Sequence, residues 1–149
     1  MNENDTIKTA IEGVNDDSRK ALIGPNGWML LVGCNSATNL AHAVKKEYDA
    51  YLQSTGSTCC VPILGSTDDN LTSVFPDTET CPRLNMSVAG SDAFVFQNVH
   101  ENISGNTVNE NLMQMFQMCW ALREHGAMKI TVITPYGGYS RQDKPTFMN

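Results

Sequence analysis

Apolar runs of strand length alternate with helical patterns along this chain. The first run, WMLLVG at Trp28–Gly33, is continuous, which is typical of a strand covered on both faces. It leads into CNSATNLAHAVKKEYDAYL, where apolar residues recur at helical intervals and Ser36 or Thr38 can cap the start. A second short apolar run follows at Cys59–Leu64, and an acidic, turn-rich loop then leads to Val74–Phe75. The first half therefore predicts a strand, a helix and one further short strand.

The second half repeats this alternation. DAFVFQ at Asp92–Gln97 predicts a strand, and a helix is expected to begin near Thr107, with Glu110 placed to complete a capping box. The helix should run to about His125, and KITVIT at Lys129–Thr134 predicts one more strand. Apolar strands alternating with helices are typical of an α/β domain with a mainly parallel sheet.

The second predicted helix has apolar residues on more than one side. Its main stripe has helical spacing and consists of Leu112, Met115, Phe116, Cys119 and Leu122. Met113, Met118 and Trp120 fall outside that stripe. A helix of this kind is usually covered on its outer side, so we expect another domain or another subunit to pack against it.

Composition narrows the function. The chain has 149 residues with Lys+Arg 10 and Asp+Glu 16, a net charge of −6, and this length and charge are typical of one acidic globular domain. The negative charge argues against a general nucleic-acid binder and against an anionic membrane as partner. No apolar run is long enough to span a membrane, and the polar, acidic start does not resemble a signal peptide, so we predict a cytoplasmic protein. Residues 1–27, ending in the turn signal GPNG, are predicted to be an N-terminal extension to a domain at 28–149.

The five cysteines form no CxxC pair and no Cys/His ligand spacing, so we expect reduced thiols and no metal site. His42, His100 and His125 lie apart in the pattern and are expected to have no ligand role.

Two loops in ligand-binding positions carry candidate chemistry. In PYGGYSRQDK, Gly137–Gly138 allows the backbone to turn tightly and approach a ligand, and Arg141 offers a planar fork of donors for phosphate oxygens. In FPDTE, Phe75 can stack on a base while Asp77 and Glu79 accept hydrogen bonds from its amino group. Each motif alone also fits a structural role, the first as a solvated exit loop and the second as an ordinary edge strand.

Taken together and in this order, the motifs resemble those of ribose-phosphate pyrophosphokinase, also called phosphoribosyl pyrophosphate synthetase. The resemblance runs from about Trp28 to Lys144, and the last motif is the most specific. The matching stretches are Gly33–Asn35 leading into the first helix, Phe75–Glu79, Ser87–Gly90 before DAFVFQ, Asn109–Met115, and Ile130–Lys144.

The resemblance implies a three-layer, phosphoribosyltransferase-like α/β domain, the N-terminal half of a two-domain enzyme. That enzyme transfers the diphosphoryl group of Mg-ATP to ribose 5-phosphate, giving 5-phosphoribosyl 1-diphosphate (PRPP) and AMP for nucleotide biosynthesis. Mg²⁺ comes with ATP, and its protein ligands are expected in the C-terminal part. The family also implies a homo-oligomer, with dimers building up to a hexamer.

The resemblance also implies roles for individual residues. The FxDGE-type loop holds adenine and reaches into a neighbouring subunit's site, and it matches Phe75, Asp77, Thr78 and Glu79. The ATP contacts after the last strand match Arg141, Gln142, Asp143 and Lys144. Ser87 matches the serine of the family's regulatory phosphate and ADP site.

Several departures from the family pattern shape the expectation. Thr78 replaces a glycine, Ala89 replaces an arginine whose loss should weaken a phosphate or ADP site, and the loop Asn98–Thr107 is longer than usual. The family's second-domain motifs, which carry the metal-binding histidine and the catalytic loop, do not occur in the sequence. We therefore expect no catalytic residue in this chain and no turnover by it alone.

Two alternatives stay open. One is a non-catalytic regulatory or scaffolding relative of the same family, for which Thr78 and Ala89 give some support. The other is a free-standing, flavodoxin-like nucleotide-binding module.

Overall fold

A computed structural model describes residues 22–65, 71–100 and 105–140 of the chain. The helices in these ranges are α1, Thr38–Ser54, and α2, Val108–Glu124. The strands are β1 (Ile23–Gly24), β2 (Gly27–Gly33), β3 (Ile63–Leu64), β4 (Thr72–Val74), β5 (Thr80–Pro82), β6 (Ser91–Phe96) and β7 (Lys129–Ile133). This alternation of strands and helices confirms the predicted α/β fold.

The main sheet is built around β2. Its strand order is β1-β2-β6-β7, with β3 also paired to β2. Strands β3, β6 and β7 run parallel to their neighbours, whereas β1 is antiparallel and joins β2 through a turn at Pro25 and Asn26. The register pairs Gly33 with Phe96 and Phe96 with Ile133. The three long strands therefore end side by side at one edge of the sheet.

Each face of the sheet is covered by one helix. Leu30 and Val32 of β2 are fully buried in a cluster with Met118 of α2. Leu31, between them, points the other way into a cluster with Ala41 of α1. This explains why β2 is a continuous apolar run, as predicted for a strand covered on both sides. Among the described residues, no helix is long and apolar enough to cross a membrane.

Strands β4 and β5 form a separate antiparallel hairpin outside the main sheet. Its strand β5 packs against α2, and the hydroxyl of Thr80 donates a hydrogen bond to the side-chain oxygen of Gln117. The hairpin is therefore attached to the rest of the fold through the middle of α2.

The predicted cap of α1 is wrong. Ala37 is the N-cap residue, and no side chain caps the helix. Thr38 donates instead to the Cys34 carbonyl oxygen at 3.1 Å, and Ser36 bonds to Gln97 across the sheet. The Ser36 hydroxyl therefore makes a long-range hydrogen bond and does not cap the helix.

The predicted strand at Cys59–Leu64 is shorter in the structure. Only Ile63–Leu64 pairs with β2, opposite Leu31 and Val32. Residues 59–62 are not part of the strand, although the Leu31 N–H donates to the Pro62 carbonyl oxygen at 3.1 Å. An apolar run alone cannot distinguish such a segment from a strand.

The buried face of α2 is rotated from the predicted stripe. Phe116, expected inside, is exposed, while Met118, expected outside, is fully buried. The rotation brings two polar side chains into the interior, so that the buried residues of α2 are Asn111, Gln114, Met115, Met118 and Leu122. Hydrophobicity alone misplaces this face because the interior on this side contains hydrogen-bonding groups.

Candidate functional site

The carboxyl edge of the sheet is joined together by backbone hydrogen bonds. The Cys34 N–H donates to the Phe96 carbonyl oxygen at 3.0 Å, and the Gln97 N–H donates to the Ile133 carbonyl oxygen at 3.1 Å. The loops that leave β2, β6 and β7 therefore start at adjacent points. Ligands of open α/β sheets bind at such an edge.

A buried polar network holds these loops in place. The Ser36 hydroxyl donates to Gln97 Oε1 at 2.6 Å, and the Asn98 N–H donates back to Ser36 Oγ at 3.2 Å. Gln97 Nε2 donates to the Asn111 carbonyl oxygen at 2.9 Å, which ties the edge to the first turns of α2. Gln97 and Asn111 are both fully buried. This network was not predicted from the sequence, where its signal is Gln97, a polar residue at the end of an apolar strand.

The described part of the glycine-containing loop, residues 135–140, packs on this edge. A Cβ atom added to Gly138 would lie 3.0 Å from Val99 Cγ2 and 3.2 Å from Val108 Cγ1, so this glycine allows the loop to pack closely on the protein itself. Its predicted approach to a ligand stays a prediction. Tyr136 packs edge-on against His100, with ring centroids 5.2 Å apart. Tyr139 donates its hydroxyl hydrogen to Asn109 Oδ1. The loop is therefore fixed against both the β6 exit and α2.

The N-terminus of α2 is capped by side chains of the residues that begin the helix. Thr107 accepts a hydrogen bond from the Glu110 N–H at 3.2 Å, and the Glu110 carboxylate accepts from the Thr107 N–H at 2.6 Å, which confirms the predicted capping box. These bonds lower the pKa of Glu110, because the Thr107 N–H and hydroxyl stabilise the ionised carboxylate. A carboxylate thus already occupies this helix N-terminus.

The second predicted loop, Phe75–Glu79, forms the tip of the β4–β5 hairpin. The Phe75 N–H donates to the Glu79 carbonyl oxygen at 2.8 Å, and the Thr78 N–H donates to the Phe75 carbonyl oxygen at 2.9 Å. The Glu79 N–H donates to Asp77 Oδ1 at 3.1 Å. The side chains of Phe75, Asp77 and Glu79 are all exposed, so they are free to meet a ligand.

Both loops contain a residue in a left-handed backbone conformation that favours glycine. Thr78 has φ 73° and Tyr139 has φ 63°, and these are the non-glycine residues with positive φ in the described part of the chain. Thr78 stands where the resembling family has glycine, and as a β-branched residue it pays the full steric cost of this conformation. Such conformations persist only where the surrounding structure holds them, and they cluster at ligand-binding sites.

Replacing Thr78 with glycine is expected to stabilise the fold. Relief of left-handed strain is worth roughly 1–2 kcal/mol, and the greater unfolded-state entropy of glycine offsets about 0.5–1 kcal/mol of it. Urea unfolding should show a higher midpoint with an unchanged slope. Gly56→Thr is the mirror control, because Gly56 has φ +85° with no atom within 4 Å of an added Cβ, and it should lower the midpoint. A lower midpoint for Thr78→Gly would contradict the assigned strain.

The described contacts hold the two loops at different points on α2. Tyr139 contacts Asn109, whereas Thr80, next to the FPDTE tip, contacts Gln117. Eight residues separate these helix positions, which is about 12 Å along the axis. The structure therefore attaches one predicted ligand loop to the first turn of α2 and the other to its middle, and does not bring them together there.

Ser87 lies in a different place from both loops. It is exposed and lines a cavity of about 240 Å³ between the chain before β6 and the end of α2, where His125 also contributes. Ala89, the position of the family's arginine, is exposed and brings no cation to this region. Its carbonyl oxygen accepts a hydrogen bond from Trp28 Nε1 at 2.9 Å.

Other predicted site residues lie outside the described part of the chain. These are Arg141, Gln142, Asp143 and Lys144.

The cysteines of the described chain are all free thiols, as expected. Burial, with Cys119 as a second cause, raises the pKa of the Cys34 thiol to about 12, and burial also raises the pKa of Cys119. Both thiols are thus protonated at neutral pH. Within the described ranges, no group of three His, Cys, Asp or Glu residues could hold a metal ion.

The histidines have partners within the protein. His42 Nε2 lies 2.9 Å from the Gly65 carbonyl oxygen, and His125 Nδ1 lies 2.8 Å from the Ala121 carbonyl oxygen.

Comparison with known proteins identifies similar sequences and a similar structure. The model of a family described as the N-terminal domain of ribose phosphate pyrophosphokinase matches residues 29–147. A ribose-phosphate pyrophosphokinase from Hyphomonas neptunium is 32% identical over 118 residues, covering 79% of this chain and 31% of that protein. Another from Buchnera aphidicola is 40% identical over 70 residues, covering 47% of this chain and 21% of that protein.

A solved structure shows the same fold. Phosphoribosylpyrophosphate synthetase from Mycobacterium smegmatis matches with a TM-score of 0.59 and 31% sequence identity, over 78% of this chain and 32% of that one. The chain thus spans about a third or less of the length of these relatives.

Proposed function

The chain belongs to the ribose-phosphate pyrophosphokinase family, and from that premise we propose that residues 28–149 are an N-terminal domain that binds ATP. The whole enzyme would transfer the diphosphoryl group of Mg-ATP to ribose 5-phosphate, giving PRPP and AMP for nucleotide biosynthesis. The observation that supports this role is that the two loops matching the family's ATP contacts hold the left-handed residues Thr78 and Tyr139. Backbone strain in both of the loops that the family resemblance assigns to ATP favours a ligand-binding role for each.

The FPDTE loop supplies the adenine contacts in this proposal. Phe75 offers an exposed ring face for stacking, and the exposed carboxylates of Asp77 and Glu79 can accept hydrogen bonds from the adenine amino group. The hairpin keeps these side chains together at its tip. Its attachment at Gln117, away from the loop attached at Asn109, supports a role in the site of a neighbouring subunit.

The triphosphate contacts follow β7. Tyr136–Ser140 leaves the carboxyl edge of the sheet, and the sequence after it continues with Arg141, Gln142, Asp143 and Lys144. Arginine provides a planar fork of donors for phosphate oxygens, while lysine acts as a point charge. Phosphoryl-group transfer asks a protein mainly for positioning and charge neutralisation, and this segment would contribute both.

Magnesium would enter with ATP. The described residues include no carboxylate cluster that fits the ion, so we assign no protein ligand and no step to it. The same family membership supports a cytoplasmic homo-oligomer with ATP and ribose 5-phosphate as partners, and neither nucleic acid nor membrane. The exposed Ala89 supports weak regulation by phosphate or ADP at Ser87.

Titration calorimetry of the 149-residue chain with Mg-ATP tests the proposal. Arg141→Ala should weaken binding more than tenfold, because charge-assisted hydrogen bonds are worth roughly 1.5–3 kcal/mol. Lys144→Ala is the matched control, since it removes the same charge without a planar fork, and should weaken binding by only a few-fold. Equal and small effects would remove the assigned role of Arg141.

A second assay separates binding from turnover. The chain is incubated with Mg-ATP and ribose 5-phosphate, and AMP release is followed. We propose that the chain alone releases no AMP above the uncatalysed rate. Sustained release would show that catalytic groups lie within these 149 residues. Binding that is absent under conditions where the chain is folded would favour the non-catalytic, scaffolding alternative.

A further inference from the structure

The loop after β7 turns at a residue type that rarely adopts the conformation found there. The Ser140 N–H donates to the Gly137 carbonyl oxygen at 3.4 Å, which closes a β-turn around Gly138 and Tyr139. Tyr139, the third residue of this turn, has φ 63°. A turn with a positive φ at its third residue usually has glycine or asparagine there, because other residues are disfavoured in this conformation. Gly137 and Gly138 are not among the glycines with positive φ, so the strained conformation lies at the tyrosine.

The side chain of Tyr139 makes a contact that compensates for this strain. Its hydroxyl donates a hydrogen bond to Oδ1 of Asn109, 30 residues earlier in the chain. A change of φ to the usual negative range would turn the Cα–Cβ bond of Tyr139 in another direction and break this hydrogen bond. The hydrogen bond and the left-handed conformation therefore support each other.

Asn109 is a firmly held anchor for the loop. It lies in the first turn of α2, between the two partners of the capping box, Thr107 and Glu110. Two residues further on, Asn111 is fully buried, and its carbonyl oxygen accepts the hydrogen bond from Gln97 Nε2 at 2.9 Å. The helix turn that carries Asn109 is thus fixed on both sides of that residue.

The bond between Tyr139 and Asn109 lies at the surface. Both residues are exposed and, together with Thr107 and Val108, they line a cavity of about 330 Å³. A hydrogen bond that water can replace contributes little to the stability of a fold. This pair is therefore better suited to set the direction of the loop than to hold the domain together.

The direction of the loop matters for the residues that follow it. Arg141 comes two residues after Tyr139, and the conformation of Tyr139 determines the direction in which the chain leaves the turn. Gly138, just before it, lies so close to Val99 and Val108 that the loop has little room to adjust there. The fork of donors on an arginine binds phosphate oxygens only in a defined orientation. The turn therefore affects how the segment beginning at Arg141 can meet a triphosphate.

We propose that Tyr139 and Asn109 are positioning residues for ATP, because their hydrogen bond holds the turn that directs the segment beginning at Arg141 toward the triphosphate. The proposal rests on the proposed function and adds to it the pair that orients the triphosphate contacts. Neither residue touches ATP, so loss of their bond is tolerated wherever the turn can form without it.

Titration calorimetry of the full chain with Mg-ATP measures the effect of the pair. Tyr139→Phe keeps the ring and removes the hydroxyl, while Asn109→Ala removes the acceptor, and each should weaken binding about three- to tenfold. The double variant should bind like either single variant, because all three lack the same bond. Tyr51→Phe is the matched control, since it makes the same change at an exposed tyrosine of α1, and it should bind like the unmodified chain. Losses that add in the double variant would overturn the pairing.

Tyr139→Gly distinguishes a positioning residue from one that touches ATP. Glycine adopts positive φ without steric cost, so it can form the turn without the hydrogen bond. This variant should bind Mg-ATP more tightly than Tyr139→Phe, although it removes more of the side chain. Equal or weaker binding by Tyr139→Gly would show that the tyrosine side chain itself contacts ATP, and the positioning role would be overturned.

Amide exchange in the unliganded chain reports on the turn without ATP. Because the Ser140 N–H closes the turn, its exchange, followed by NMR, should be at least about threefold faster in Tyr139→Phe and in Asn109→Ala. Unchanged exchange would overturn the proposal, since the bond would then not hold the turn. An unmodified chain that does not bind Mg-ATP would overturn the proposed function and the triphosphate role of the pair, while the exchange rates would still show whether the bond holds the turn. Circular dichroism confirms that each variant is folded before it is compared.

Discussion

Alanine at position 27 is expected to destabilise the fold by about 4 kcal/mol or more, at the upper end of single-residue effects. Gly27 has φ +110°, and an added Cβ would lie 2.0 Å from the carbonyl oxygen of Gly90. That oxygen cannot easily move away, because it accepts a hydrogen bond from the Trp28 N–H at 3.2 Å while the Gly90 N–H donates to the Gly126 carbonyl oxygen at 2.8 Å. The substitution therefore forces β2 and β6 apart where their pairing begins.

Gly56→Ala separates the clash from the backbone strain. Gly56 also has a positive φ, +85°, but no atom lies within 4 Å of an added Cβ. Gly56→Ala should lower the free energy of unfolding by only roughly 1–2 kcal/mol, the cost of the left-handed conformation for alanine. Urea unfolding of both variants, followed by circular dichroism, gives the comparison. Equal losses would show that the contact between Gly27 and Gly90 does not limit the approach of the strands.

The elements predicted correctly are those set by local sequence. The continuous apolar run of β2 predicts a strand covered on both faces, and Leu30 and Leu31 are indeed buried on opposite sides. The capping box at Thr107 and Glu110 forms as predicted, since both partners lie within one turn.

The features that the sequence could not give depend on residues far apart in the chain. Ser36 was predicted as a helix cap, but its partner Gln97 lies 61 residues away and outcompetes the local role. The buried face of α2 includes the polar residue Asn111, and a pattern of hydrophobic residues cannot predict a buried polar side chain.

The ligand contacts of the candidate site stay predictions. The structure shows that Phe75–Glu79 is the exposed tip of a hairpin and that Gly138 packs closely against Val99 and Val108 of the protein itself. The left-handed conformation of Tyr139 was not foreseen, because the adjacent glycines are the residues that usually adopt it. The roles of Arg141 and Lys144 stay predictions.

Gln97→Met is expected to destabilise the fold by about 2–4 kcal/mol, because it leaves buried hydrogen-bonding groups without their partners. Methionine has nearly the same size and flexibility, so packing changes little. The variant loses the bond from Ser36 Oγ and the bond from Gln97 Nε2 to the Asn111 carbonyl oxygen. Urea unfolding measures the loss, and Gln53→Met, at an exposed position of α1, should stay within about 0.5 kcal/mol of the unmodified chain.

The same substitution distinguishes a local network from one that positions the ligand loops. Gln97 connects the exits of β2 and β6 to the start of α2, where Asn109 holds Tyr139. If the network positions these loops, amide exchange at Asn98 should speed up, since its N–H donates to Ser36 Oγ, and Mg-ATP binding should weaken even where the variant is fully folded. A variant that exchanges and binds like Gln53→Met would show that Gln97 only fills the interior and leaves the loop geometry to the backbone bonds at Cys34 and Gln97 themselves.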